Sequence, residues 1–210
     1  GQIKLSVMLR HVPNTLTLGR LVLTVIFVAM VLYSPRLAQD DRTGFLVIAF
    51  VLFVIAGLTD IVDGIVARRL NVTSKFGRIV DPLVDKILVC GTFISFAIIG
   101  EPKLFGLGQV ALAVIHWSVA GVLILREVYV TVLRHIAEAR GVSFAATFSG
   151  KVKMLLQSFA IGTVIIKMAY VRTAVWGYWF TTIIFIAMLI VTIISGLRAT
   201  QRSAWKQAAR

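Results

Sequence analysis

The sequence predicts an all-α integral membrane protein of six transmembrane helices, preceded by a short N-terminal interfacial helix. Three observations carry that expectation. Apolar residues make up 59% of the 210-residue chain and the mean hydropathy is +0.93, well above an ordinary soluble domain, where the apolar share with glycine included is about half. The apolar residues gather in runs of roughly 20, the length a helix rising about 1.5 Å per residue needs to cross a hydrocarbon core of about 30 Å. Short loops between the runs carry basic residues in an uneven distribution, as multi-pass membrane proteins do.

Each element follows in order. Residues 1–13 mix apolar and basic side chains, and Ile3, Val7 and Leu9 beside Arg10 suit a helix lying in the membrane interface. Pro13 and Asn14 lead into the first span, about Leu16 to Tyr33. That run is long enough to stay in the bilayer, and no Ala-x-Ala-like cleavage pattern follows it. A polar turn around Pro35 precedes the second span, about Gly44 to Thr59. The third runs from about Ile79 to Ile99 and is closed by "GEPKLFGLG"; the fourth runs from about Gln109 to Leu133. After a longer basic connection come the fifth span, about Met154 to Tyr170, and the sixth, about Trp176 to Leu197. The chain reads as one membrane-embedded domain: residues 14–200 form the bundle and 201–210 a basic tail. It has no internal repeat and no low-complexity stretch.

The formal net charge is +13, from 22 Lys+Arg against 9 Asp+Glu. Six spans put both termini on one side. Lys4, Arg10, Arg20, Arg68, Arg69, Lys75, Arg78, Arg134, Arg140, Lys151, Lys153, Arg198, Arg202, Lys206 and Arg210 share that side, against Arg36, Arg42, Lys103, Lys167 and Arg172 on the other. The positive-inside rule makes the richer side cytoplasmic, and a bacterial inner membrane is the expected location. Trp176, Tyr178 and Trp179 would then anchor the sixth span at the outer interface. So little soluble surface argues against nucleic acid as the partner of this charge, leaving lipid headgroups and a phosphorylated substrate. The single Cys90 excludes an internal disulfide and any Cys-rich metal site. His11, His116 and His135 read as background, with His116 a hydrogen-bonded intramembrane histidine.

One stretch departs from the apolar pattern: "DIVDGIVARRLNVTSKFGRIVDPLVD", Asp60 to Asp85. Asp60, Asp63, Gly64 and Ala67 have the spacing i, i+3, i+4, i+7, and Gly77, Asp81 and Asp85 the spacing i, i+4, i+8, so each set shares one helical face. The connection between them is short, which favours antiparallel neighbours with the two acidic stripes facing each other. Four carboxylates at one depth repel and are costly to desolvate. Ion pairing with Arg68 and Lys75 is one remedy. A hard divalent cation is the better one: oxygen donors with no His or Cys nearby suit Mg²⁺ or Mn²⁺, with Ca²⁺ as a possible occupant. Four carboxylates can hold two ions about 3.5–4 Å apart, an arrangement suited to displacement at phosphorus. Gly64, Gly77 and Ala67 either admit a ligand close to the backbones or serve tight helix packing.

The pattern Asp60-x2-Asp63-Gly64-x2-Ala67-Arg68-x8-Gly77-x3-Asp81-x3-Asp85 resembles the signature of the CDP-alcohol phosphotransferases, with every fixed position filled. The resemblance implies a six-span fold with the motif bridging spans two and three. It implies that Asp60, Asp63 and Asp81 are metal ligands and that Asp85 is the general base that also touches a metal. The substrate it implies is a CDP-linked lipid, CDP-diacylglycerol, with CMP leaving. Asn14, Thr17, Arg20, Gly64, Ala67, Arg68, Ser74 and Gly77 are expected around that lipid's nucleotide and phosphates. A homodimer is expected on the same basis.

Three further stretches bear on the acceptor alcohol. "PNTLTLGR" (Pro13 to Arg20) resembles the entry segment of members that form phosphatidylglycerophosphate, although helix capping suits Asn14 and Thr17 equally well. "REVYVTVLR" (Arg126 to Arg134) resembles their Arg-Glu segment. Arg126 falls inside the fourth span, where an unpaired guanidinium is expensive; it is expected to bind the acceptor's phosphate, or else to snorkel to the interface. Glu127, its neighbour, is expected to point elsewhere on the helix and pair with another basic group. "SGKVKMLLQ" (Ser149 to Gln157) resembles a Gly-Lys-x-Lys-Thr…Gln element, with Met154 in place of the Thr. Lys151, Lys153 and Arg198 complete the basic set expected for a dianionic acceptor, sn-glycerol 3-phosphate. Phosphatidylglycerol and inositol phosphate are the alternative acceptors. A divalent-cation transporter is the alternative of a different class, although its acids would line a path rather than cluster at one edge.

Overall fold

The computed structural model describes the backbone of residues 2–70, 75–140 and 148–208, and the side chains of residues 15, 17–59, 80–140 and 150–201. Helices account for nearly all of it: α1 (Gln2–Tyr33), α2 (Gln39–Leu70), α3 (Lys75–Ile99), α4 (Gln109–Ala139), α5 (Phe148–Tyr170) and α6 (Val175–Ala208), with one 3₁₀ turn at Ser34–Arg36. There is no strand among the described residues. All six helices are long and apolar enough to cross a membrane. The all-α, six-span expectation therefore holds.

The helices outrun the apolar runs. Residues 2–12 do not form a separate short helix; α1 continues through Pro13 from Gln2 to Tyr33. The basic connection after Leu133 is largely helical, since α4 reaches Ala139 and α5 begins at Phe148, placing Lys151 and Lys153 within a helix. Residues 201–208, expected as a tail, extend α6 to Ala208. The cause is cooperative: once a helix is nucleated, each further residue gains a backbone bond at little cost, whatever its polarity. An apolar run records lipid contact, not helix length.

The chain divides into two compact units, Gly1–Ser95 and Phe96–Arg210, with the boundary inside α3. In the first, α1 turns one stripe inward: Thr17, Arg20, Thr24, Phe27 and Val31 are all buried. Their i, i+3, i+7 spacing is the seam of two closely packed helices. The facing stripe on α2 is Leu46, Ala49, Phe53 and Ala56. Phe27 and Phe53 meet with ring centroids 5.3 Å apart. Small Ala49 and Ala56 allow close approach, which packs membrane helices where no hydrophobic drive exists. Leu18, Val22, Val25 and Ile26 on α1 are exposed, as lipid-facing residues are. The turn after α1 closes when Ser34 Oγ donates to the Val31 carbonyl, 2.8 Å away.

In the second unit α4, α5 and α6 supply the core. Buried α5 residues run from Lys153 and Gln157 through Ala160, Ile161, Val164 and Ile165 to Lys167. Buried α6 residues run from Thr181 through Phe185 and Met188 to Thr192 and Ser195. Both helices therefore bury polar groups at each end and apolar ones in the middle. At one end, Lys167 Nζ lies 4.5 Å from the Tyr178 ring centroid and donates to the Arg172 carbonyl at 3.4 Å. Tyr178 also stacks on Phe105, while Trp176 and Trp179 remain exposed. His116 is buried, its Nε2 3.2 Å from the Pro102 carbonyl, as expected of an intramembrane histidine with a partner. The other end holds the residues taken up below.

Candidate active site

Two side-chain clusters contain sequence-predicted site residues, one in each unit. In the first, Thr17 and Arg20 stand one turn apart on α1, and Asp81 and Asp85 one turn apart on α3. Thr17 Oγ1 donates a 2.8 Å hydrogen bond to Asp81 Oδ1. Arg20 Nη2 donates to the Asp81 backbone carbonyl at 3.2 Å. The same nitrogen lies 3.6 Å from Asp81 Oδ1 and 3.5 Å from Asp85 Oδ1. Arg20 is only 1% exposed, whereas both carboxylates are partly open. A guanidinium that deeply buried must be paired, because its removal from water costs several kcal/mol (on the order of the ion-desolvation penalty).

This geometry changes one expectation and adds a contact to another. Thr17 lies well inside α1, so it caps nothing; its hydroxyl goes to a carboxylate on another helix. Arg20, expected beside the nucleotide phosphates, is packed against the two aspartates. The sequence offers Arg68 and Lys75 only as the ion-pairing alternative to a divalent cation, and Arg20 is not among those candidates. The missed signal was its position, one turn after Thr17 on the face that α1 turns inward.

Two carboxylate oxygens converging on one nitrogen can also converge on one cation. Their all-oxygen chemistry fits a hard divalent ion. Among the described residues no third acidic, histidine or cysteine side chain joins them. Asp60, Asp63, Gly64, Ala67 and Arg68 belong to α2, Gly77 to α3 and Asn14 to α1. Their side chains fall outside the described residues, and Ser74 lies outside them altogether.

The second cluster joins α4, α5 and α6. Arg126 Nη1 donates to Glu127 Oε1 at 3.0 Å, and Lys153 Nζ pairs with the same oxygen. Arg126 Nε donates to Ser195 Oγ at 3.1 Å. The Ser195 hydroxyl donates to the Thr192 carbonyl at 2.9 Å, leaving its lone pairs for Arg126. Gly196 follows Ser195 on α6; a Cβ there would stand 3.5 Å from Arg126 Cγ, an ordinary van der Waals contact. Buried Gln157 lies one turn after Lys153. Arg126 and Lys153 are thus brought together. Lys151 and Arg198 are exposed and make no hydrogen bond or ion pair with the cluster among the described residues.

Glu127 corrects a prediction. It was expected to point away from Arg126 and to pair with another basic group; the second holds, with Lys153, but Glu127 pairs with Arg126 as well. Adjacent residues on a helix diverge by about 100° at 3.6 residues per turn, but two long side chains can still curve back to meet. Ser195 and Gly196 were overlooked too, although Thr192 and Ser195, three residues apart in a strongly apolar span, carry a polar signal.

A six-helix membrane protein that sets carboxylates against a buried cation, and elsewhere pairs two cations on one carboxylate, is equipped to handle phosphorylated, anionic molecules. The chain belongs to the CDP-alcohol phosphatidyltransferase family, whose profile matches residues 10–194. It is similar to a probable phosphatidylglycerophosphate synthase of Mycobacterium tuberculosis, 29% identical over 203 residues, covering 97% of this chain and 86% of the relative. A CDP-diacylglycerol–glycerol-3-phosphate 3-phosphatidyltransferase of Bacillus subtilis is 35% identical over 164 residues, covering 74% and 77%. The Rickettsia typhi protein of that name is 28% identical over 159 residues, covering 75% and 78%. The chain is therefore an enzyme of phosphatidyl transfer from a CDP-alcohol. Its family generally uses divalent metal ions. The transporter alternative is set aside.

Proposed function

We propose that this enzyme transfers the phosphatidyl group of CDP-diacylglycerol to sn-glycerol 3-phosphate, forming phosphatidylglycerophosphate and CMP. The observation that carries the choice of acceptor is the Arg126–Lys153 cation pair, built into the protein by Glu127 and Ser195. A dianionic phosphate needs such a pair; serine, choline or ethanolamine does not. The names of the relatives, CDP-diacylglycerol–glycerol-3-phosphate 3-phosphatidyltransferases, support the same acceptor.

In this reading Asp60, Asp63, Asp81 and Asp85 would hold two ions, Mg²⁺ or Mn²⁺. When bound, such ions neutralise diphosphate charge and ease departure of CMP. Asp85 takes the proton of the acceptor hydroxyl as its oxygen bonds to the phosphorus bearing diacylglycerol; the bond from that phosphorus to the CMP oxygen breaks, and CMP takes the electron pair. Arg20 and Thr17 hold Asp81 and Asp85 in register, with Arg20 balancing their charge. Asn14, Gly64, Ala67, Arg68, Ser74 and Gly77 line the path of the CDP-linked lipid. Arg126 and Lys153 take the phosphate of glycerol 3-phosphate, with Lys151 and Arg198 adding positive potential outside. The enzyme works as a single-domain homodimer in the bacterial cytoplasmic membrane, with termini and active site facing the cytoplasm.

The test is CMP release by purified enzyme with CDP-diacylglycerol and Mg²⁺ across a panel of acceptors. Release dependent on glycerol 3-phosphate is the expected result. Release with phosphatidylglycerol or inositol phosphate instead would keep the transferase chemistry and overturn the acceptor.

A further inference from the structure

We infer that Glu127 is a positioning residue for the acceptor's phosphate: its carboxylate holds the Arg126 guanidinium and the Lys153 ammonium, carried by two different helices, as one preformed anion-binding pair. The inference rests on the glycerol 3-phosphate reading above.

One oxygen, Glu127 Oε1, receives both cations. Arg126 comes from α4 and Lys153 from α5, so without that oxygen two like charges would face each other in a poorly solvated place, and their side chains would swing apart. With it the trio keeps a net charge of one positive unit, still attractive to a dianion. The Arg126 fork is held at a second point, Nε on Ser195 Oγ at 3.1 Å, from α6. Two fixed edges determine the plane of a guanidinium. The third nitrogen, Nη2, has no protein acceptor among the described residues. A phosphate oxygen in that plane would meet Nη2 at little entropic cost, since the fork is already ordered.

Glu127 cannot itself touch the phosphate, because a carboxylate repels it. It acts through the cations. It is also mostly enclosed, with a side-chain exposure of 15%. Pairing for stability alone would need one cation and no particular plane; bracing Arg126 from α6 and drawing Lys153 from α5 to one atom fixes a geometry.

The experiment is steady-state kinetics of the full chain in detergent–lipid micelles, with both substrates varied. Glu127→Gln is expected to raise KM for glycerol 3-phosphate about tenfold, while kcat at saturating acceptor and KM for CDP-diacylglycerol each change less than about threefold. In an Arg126→Ala background the same substitution should add clearly less than it does alone, because one of the two cations it holds is already gone and only Lys153 remains to be released. An unchanged acceptor KM, an additive effect in that background, or equal damage to both substrates would overturn the inference. If Glu127→Gln does not accumulate in folded form, Glu127→Asp decides. It keeps the charge but draws the carboxylate back by one methylene, so acceptor KM should rise with kcat retained; no rise would overturn the idea. Arg126→Ala alone separates the two levels. If it leaves acceptor KM unchanged, the acceptor-site reading fails. If it raises KM while Glu127→Gln does not, only the positioning role fails.

Discussion

Thr17 donates to Asp81 Oδ1 at 2.8 Å, a neutral α1 hydroxyl set against one member of the acidic pair. A hydrogen bond to an ionised group contributes about 1.5–3 kcal/mol, and about 1.4 kcal/mol is a factor of ten. Thr17→Val keeps the shape and removes the donor. It should lower kcat/KM about tenfold if the orientation of Asp81 matters to turnover, with the protein still folded. Purified variant and parent compared at saturating Mg²⁺ provide the measurement. Unchanged kcat/KM would mean that Asp81 is held by Arg20 alone. The residue types at Thr17 and Arg20 were legible from the sequence as site candidates, but their partner was not. Asp81 lies 64 residues from Thr17, and no local periodicity connects positions on different helices.

At the scale of elements, the six spans were legible because each is an apolar run of about 20 residues, whereas the stripe that each turns inward was not read from it. The helix ends were not, because Arg134 to Ala139 and Gln201 to Ala208 are polar enough to read as loops yet continue helices already begun. The α1–α2 seam gives the sharper test. Ala56 is fully buried on the stripe of Leu46, Ala49 and Phe53, while Val51 on the same helix is exposed. Ala56→Leu inserts three carbons where two backbones approach and should cost about 1–3 kcal/mol. Val51→Leu enlarges a lipid-facing side chain and should stay within about 0.5 kcal/mol. Heat-induced aggregation in detergent reads both: the midpoint should fall clearly for Ala56→Leu and hardly at all for Val51→Leu. Equal midpoints would mean that α2 can shift to make room, and that small size at Ala56 is incidental.

At the scale of the whole molecule, the basic excess predicts an orientation that can be measured. Helix α4 has 31 residues, so at about 1.5 Å per residue it is about 46 Å long, well beyond a hydrocarbon core of about 30 Å. Lys103 precedes it and Arg140 caps its end; both are exposed. They must therefore emerge on opposite sides if α4 spans. The positive-inside rule predicts Arg140 in the cytoplasm, since Lys151 and Lys153 in the first turns of α5 lie close after it, whereas the loop with Lys103 is short and holds Glu101 as well. In a Cys90→Ala background, Lys103→Cys should react with a membrane-impermeant maleimide on intact cells, and Arg140→Cys only after permeabilisation. The reverse pattern would put the Arg126–Glu127–Lys153 end of the second unit outside the cell, where a CDP-linked lipid and glycerol 3-phosphate made inside would not reach it, and the proposed reaction would lose its substrates. Labelling at both positions in intact cells would mean that α4 does not span, and the six-span reading of the sequence would have to be given up along with the orientation.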